Sequence, residues 1–319
     1  MKKLLLLITL IILQSCNSVD TVEGNKIDHK LRSSINAKND SLITAMTTSN
    51  LRIYFELESD EYRKKRQTSS AFKPSTIFKR GILKSNFTVY DEFYVTNSAR
   101  YTSTGLKSEK HGYTFTFTND KEQSYVSVLK LSGYQFDTLL AVTYGLTNDG
   151  WKIYDIDLFN LGNWGMTLND YYNMAKKNEA KGYLINAYTF ARNASELAVN
   201  KEDSKLQWDN SKEIKQYAQG LEDKIKDEYT FPLVMQKVPT KPTILSIEPR
   251  AILNSIVPTV NYHTVINLRD TVQLKQEKDI MKHEMKSLFK DFNLKTTIVF
   301  RAYQDTKGNG QNYYFIDKN

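Results

Sequence analysis

The order of periodicities predicts an α+β fold built on a long, curved antiparallel sheet. Apolar residues recur at helical spacing over residues 26–62. The period drops to two over 87–159, then returns to helical after 161. The turn signal Asn148-Asp149-Gly150 sets off the clearest strand, Gly150-Trp151-Lys152-Ile153-Tyr154-Asp155-Ile156-Asp157-Leu158-Phe159.

The N-terminus sets the address. Met1-Lys2-Lys3 is basic, and residues 4–13 are apolar apart from Thr9. That run is shorter than the roughly 20 apolar residues a membrane span needs and fits the core of a secretory signal. It ends in Leu13-Gln14-Ser15-Cys16, which resembles the lipobox of bacterial lipoproteins. The resemblance implies a signal peptide over 1–16, cut before a Cys16 that carries diacylglycerol on sulfur and an acyl chain such as palmitate on its new amine. Several chains together anchor stably where one is marginal. Asn17 in place of Asp implies the outer membrane, with the periplasmic face favoured and surface display open. Residues 17–25 read as a short polar tether.

Cys16 is the only cysteine, so no thiol remains for a disulfide, a thiolate metal site or a nucleophile. Losing Lys2 and Lys3 lowers the formal charge of +8 by two units. A modest, diffuse positive balance suits anionic lipid or glycan and is no nucleic-acid footprint.

In the mature chain, Ile27, Leu31, Ile35, Leu42 and Met46 predict an amphipathic helix over 26–47. Leu51, Tyr54, Phe55, Glu58 and Tyr62 extend the pattern to Arg63-Lys64-Lys65-Arg66, read as a solvated helix end. Strands follow at 87–96, at 113–118 where Tyr113, Phe115 and Phe117 alternate with threonines, at 123–131 and at 136–146. Short connections predict a meander with consecutive strands paired antiparallel. Helices first, then a curved meander closing on Asp149-Gly150-Trp151-Lys152-Ile153, resemble the nuclear transport factor 2-like (steroid isomerase-like) superfamily over 26–165. The resemblance implies a cone-like sheet whose mouth holds a small ligand in some members.

Tyr171, Met174, Ala175, Gly182, Leu184, Ala187, Ala191 and Ala194 fall near tetratricopeptide spacing, with Asn178 departing from it. One helical hairpin plus a further helix (Ile214, Tyr217, Ala218, Leu221, Ile225) is expected over 166–231. Pro232, Pro239 and Pro242 introduce a small α+β domain over 232–319. It has strands near 244–247, 260–268, 296–303 and 312–316, and a helix capped by Asp270 or Thr271. The lysines at 278, 282, 286 and 290, interspersed with acids, read as a solvated helix flank.

Asp155 and Asp157 sit two apart on one strand and therefore share a face, with Trp151, Ile153 and Phe159. If that face lines the cone, burial would prepare a carboxylate for acid–base chemistry α to a carbonyl, with Tyr144 donating to the oxyanion. The plainer alternative places them at a solvated sheet end or paired with lysines. Both faces carry apolar residues, so alternation does not reveal which is inside. His283-Glu284-Met285-Lys286-Ser287 lacks the second histidine of a zinc helix. No nucleophile elbow or phosphate loop is present, and no metal or cofactor is expected. The expectation is a lipid-anchored, non-catalytic binding or scaffolding protein for a protein or envelope component. The alternative is a small-molecule binder or an isomerase- or hydrolase-type enzyme using Asp155 and Asp157.

Overall fold

The computed structural model describes residues 19–68, 87–98, 102–133, 136–198, 204–252 and 254–318. Cys16 and the signal segment lie outside these residues. The described chain is α+β, with seven helices and a strongly curled antiparallel sheet. It divides into two compact units: residues 1–165 with 200–209, and residues 166–199 with 210–319. The boundary expected at 231/232 separates no compact units, because the helical segment and the C-terminal α+β region fall together in the second.

The first unit begins with β1 (Val19–Glu23), where a tether was expected. β1 pairs antiparallel with β2 (Phe87–Asn97) from Val19↔Asn97 to Glu23↔Phe93. Three helices follow: α1 (His29–Thr47), α2 (Leu51–Leu57) and α3 (Asp60–Thr68). Asp28 and Asn50 accept from Leu31 N–H and Ile53 N–H, which satisfies donors the first turn leaves orphaned.

The main sheet then runs in the order β1-β2-β5-β6-β7, with β5 at Gln123–Ser132, β6 at Phe136–Thr147 and β7 at Gly150–Asn163. The uninterrupted meander is corrected at β3 (Thr102–Ser108) and β4 (Tyr113–Asn119). These form a hairpin in a separate three-stranded sheet completed by β9 (Leu206–Trp208). β9 lies inside the stretch read as wholly helical. The strict alternation of β4 reflects a strand buried on one face only, with Tyr113, Phe115 and Phe117 inward.

Extra residues at Tyr90, Tyr154 and Leu161 make bulges in β2 and β7 and add to the curl. One face of the sheet carries Tyr125, Leu129, Leu140, Val142, Tyr144, Ile153 and Ile156, which pack with Ile35, Leu42, Ile43 and Met46 of α1. The other face meets the small sheet: Phe159 packs edge-on to Phe115 at 6.0 Å, and Tyr113 Oη donates to Asp91 Oδ2 at 2.6 Å.

In the second unit, the two-residue strand β8 (Met166–Thr167) leads into α4 (Leu168–Glu179) through a capping box of Thr167 and Asp170. Gly182, at φ +74°, turns the chain into α5 (Leu184–Ala198). Ala175, Ala187 and Ala191 let the helices pack closely with Ala218 and Leu221 of α6 (Ser211–Glu228). A second sheet runs β10 (Leu233–Val234), β11 (Thr243–Ile252), β12 (Ser255–His263), β13 (Ile298–Tyr303), β14 (Asn312–Asp317). Its β12–β13 pair is parallel, bridged by α7 (Thr271–Leu288), which Asp270 caps. Leu274, Met281 and Met285 of α7 fill the core with Val260, Tyr262 and Phe300. The lysine flank is only partly solvated, because Lys278 and Lys282 both reach Asp317.

Candidate functional site

The bulge at Tyr154 decides where the candidate acids point. Tyr144 faces Ile153 and Thr143 faces Asp155, leaving Tyr154 without a partner in the ladder. One inserted residue reverses the side-chain phase. Trp151 and Ile153 therefore pack with the helices, whereas Asp155, Asp157 and Phe159 occupy the opposite face. The single shared face expected for all five is corrected accordingly. Tyr144 is also corrected. It is fully buried beneath α1, donates to Asn39 Oδ1 at 2.9 Å, and has its pKa driven up by burial. It lies across the sheet from Asp155 and Asp157 and is no partner to them.

Asp155 and Asp157 meet lysines instead. Lys205, just before β9, sends its Nζ to Asp155 Oδ2 at 2.5 Å and to Asp157 Oδ2 at 2.8 Å. Lys65 of α3 reaches Asp155 Oδ1 at 3.1 Å. Both carboxylates retain about a quarter of their side-chain exposure, at 22% and 23%. Their acidities diverge. Burial works against the Asp155 charge, but Lys205 and Lys65 outweigh it and hold Asp155 below the usual carboxylate range. Burial prevails at Asp157, with Asp155 as a like neighbour, and raises it despite Lys205. Burial also opposes the charge on Lys205, yet the two carboxylates raise its pKa. A cleft of about 280 Å³ opens beside the cluster, lined by Tyr62, Lys65, Phe117, Tyr154, Asp155 and Lys205 among others.

Two cations of the basic run of α3, Arg63 and Arg66, turn toward the buried Glu58. Arg66 makes a two-pronged pair with the buried Glu58, at 2.8 and 3.1 Å. Arg63 donates to the Phe55 carbonyl at 2.9 Å and lies 3.8 Å from Glu58. Ser59 N–H bonds the Ile153 carbonyl, so the α2–α3 corner is stitched to β7. The reading of this run as a solvated helix end is corrected at Arg66 and Arg63, while Lys64 and Lys65 are exposed. The buried acid that attracts it sits eight positions from Arg66.

Sequence reasoning missed a second cluster. His111, in the β3–β4 turn, stacks on Tyr90 at 3.7 Å between ring centres, with its Nε2 3.8 Å from Asp91 Oδ1. Burial lowers the His111 pKa, and nearby Lys110 adds to that, against the pull of Asp91. The available signal was a histidine beside a Gly, too common to single out. No cluster of metal-ligating side chains occurs among the described residues. No described helix is long and apolar enough to cross a membrane. Chemically, the Asp155–Asp157–Lys205 arrangement is a charge-compensated clasp between β7 and the β9 segment, with a small cleft at its side.

No known protein family, curated protein or solved structure matches this chain.

Proposed function

We propose that the protein is a lipid-anchored component of a bacterial cell envelope, held by acylated Cys16, most simply in the outer membrane. It acts as a non-catalytic binding or scaffolding module for a protein or envelope component. The fold reading that goes with this is a nuclear transport factor 2-like first domain, supported by helices preceding a curled antiparallel sheet. The carrying observation is that Asp155 and Asp157 are already engaged by Lys205 and Lys65, while Tyr144 is committed to Asn39 on the other face. A general base needs an available lone pair near its substrate, and lysine contacts engage both oxygens of Asp155 and one of Asp157.

The rival reading, a small-molecule binder or enzyme, draws on the raised pKa of Asp157 and the adjoining cleft. Two measurements separate the readings. Incorporation of an alkyne-tagged fatty acid and membrane fractionation should show a labelled, membrane-bound chain that Cys16→Ser converts to an unlabelled, released one. A membrane-bound Cys16→Ser chain overturns the anchoring. In a deletion strain, a folded Asp155→Asn/Asp157→Asn double variant should complement as well as wild type. Loss of complementation by a variant that remains folded at the growth temperature would favour the enzyme.

A further inference from the structure

β1 begins three residues after Cys16. Consecutive α-carbons are 3.8 Å apart, so Val19 cannot lie more than about 11 Å from a Cys16 α-carbon. The polar layer on each side of a bilayer is only about 5–8 Å deep. β1 cannot act as slack, since it is laddered to β2 along its length. An anchor at Cys16 therefore holds one end of the main sheet at the lipid surface.

The register identifies that end. Val19 pairs with Asn97, Thr96 with Gln123, Ser124 with Gly145, and Leu146 with Trp151. Exposed large apolar side chains gather there: Val19 at 40%, Leu146 at 39% and, one helical turn apart on α2, Leu51 at 51% and Phe55 at 37%. Phe55 and Leu146 line one broad cleft of about 640 Å³ whose charged lining is mixed, with Lys121 and Lys152 among its cations and Glu56, Glu61 and Asp149 among its acids. Arg52 and Lys121 are balanced by Glu56 and Glu61. Lys152 donates to the Glu56 carbonyl at 2.7 Å. Apolar side chains that dip among headgroups, beside lysines with cationic tips, are what a phospholipid surface accommodates.

Resting on the acylation of Cys16, we infer that this end of the first unit, formed by Val19, Leu51, Phe55 and Leu146 with Lys152, is a membrane-contacting surface. The occupant is the phospholipid bilayer that carries the anchor. Phe136, at the start of β6, is equally exposed at 44% but lies ten residues from Leu146, roughly 33 Å along the strand. It provides an internal control.

The test uses full-length acylated chain in vesicles of phosphatidylethanolamine and phosphatidylglycerol. Acylation blocks the native thiol, so Leu51→Cys, Leu146→Cys and Phe136→Cys each present one site for a fluorophore. A quencher carried on lipid headgroups should dim the label at 51 and at 146 several-fold more than at 136. Melting curves confirm that each labelled chain is folded, and two independent sites guard against a local defect. Quenching at 136 equal to or above that at 51 and 146 overturns the inference. If Cys16→Ser still releases the chain, that result leaves the anchoring intact; if it does not, the anchoring reading has failed instead.

Discussion

Tyr154 lies over Gly145: a β-carbon built on Gly145 would sit 2.8 Å from the tyrosine ring and 2.8 Å from Lys121 Cγ. The ring also carries Lys121 Nζ at 4.3 Å from its centroid and reaches Glu61 through its hydroxyl at 3.3 Å. The bulge residue is thus packed into place by an absent side chain on the neighbouring strand. Gly145→Ala should displace Tyr154 and cost about 1–3 kcal/mol. Urea denaturation measures it. Adding Tyr154→Ala should then recover much of the alanine's steric penalty, and simple additivity of the two losses would refute the packing argument.

Asp155 and Asp157 should respond oppositely to pH. Asp155 is lowered, so its stabilisation is present above its unfolded pKa near 3.9 and is lost as pH falls through the folded value. Asp157 is raised, so its charge subtracts stability at neutral pH, and the deficit shrinks as pH falls through its folded pKa. At pH 7, Asp157→Asn should therefore cost less than Asp155→Asn, by on the order of 1 kcal/mol. Equal losses would show that the pair shares Lys205 evenly.

Removing the shared cation is the harsher change. Lys205→Met leaves two partly buried carboxylates beside each other, with Lys65 in contact with Asp155 at 3.1 Å. The loss at pH 7 should be about 2–3 kcal/mol, less than for a fully buried pair because water still reaches both acids. Protonation of Asp157 should return part of it as pH is lowered from 7 through the raised folded pKa of that group. A variant whose deficit is flat across that interval would place the effect in lost packing instead.

Asn39 ties the helices to the sheet. Its Nδ2 donates to Ser127 Oγ at 2.7 Å and its Oδ1 accepts from Tyr144 Oη, all buried. Asn39→Ala leaves the tyrosine hydroxyl stranded and opens a void, and should cost about 2–4 kcal/mol. Tyr144→Phe removes the stranded donor, so Asn39→Ala/Tyr144→Phe should lose less than the sum of the single variants.

Glu277 lies on α7 at 3% exposure, where Thr240 and Thr264 both donate to its Oε1. Burial raises its pKa. Its charge therefore opposes folding at neutral pH, and stability should rise as pH falls through the folded pKa. Glu277→Gln should flatten that dependence and change stability at pH 7 by no more than about 1 kcal/mol. Glu277→Ala, which leaves both threonine hydroxyls without their acceptor, should cost roughly 2–3 kcal/mol. An unaltered pH profile in Glu277→Gln would show that this carboxylate does not titrate on unfolding.

Local features were legible in the sequence wherever one segment carries its own reason. The stripe from Ile35 to Met46 specified α1, and Asp270 capped α7. The pairing of Asp155 with a lysine was open as an alternative. Which lysine was not, because Lys205 comes from a segment fifty residues on that local pattern assigns to helix.

By itself the sequence determined the long helices, the long strands of the main sheet and the shared face of Asp155 and Asp157, since these follow from side-chain spacing along a continuous backbone; the short strands β1, β3 and β9 did not follow from it. Tertiary structure decided what that face meets. It withdrew β3 and β4 from the meander and brought β9 back to them. It placed the single extra residue, Tyr154, that parts Ile153 from Asp155. A bulge depends on how neighbouring strands fit, here on the space left by Gly145, and a two-residue period carries no record of it.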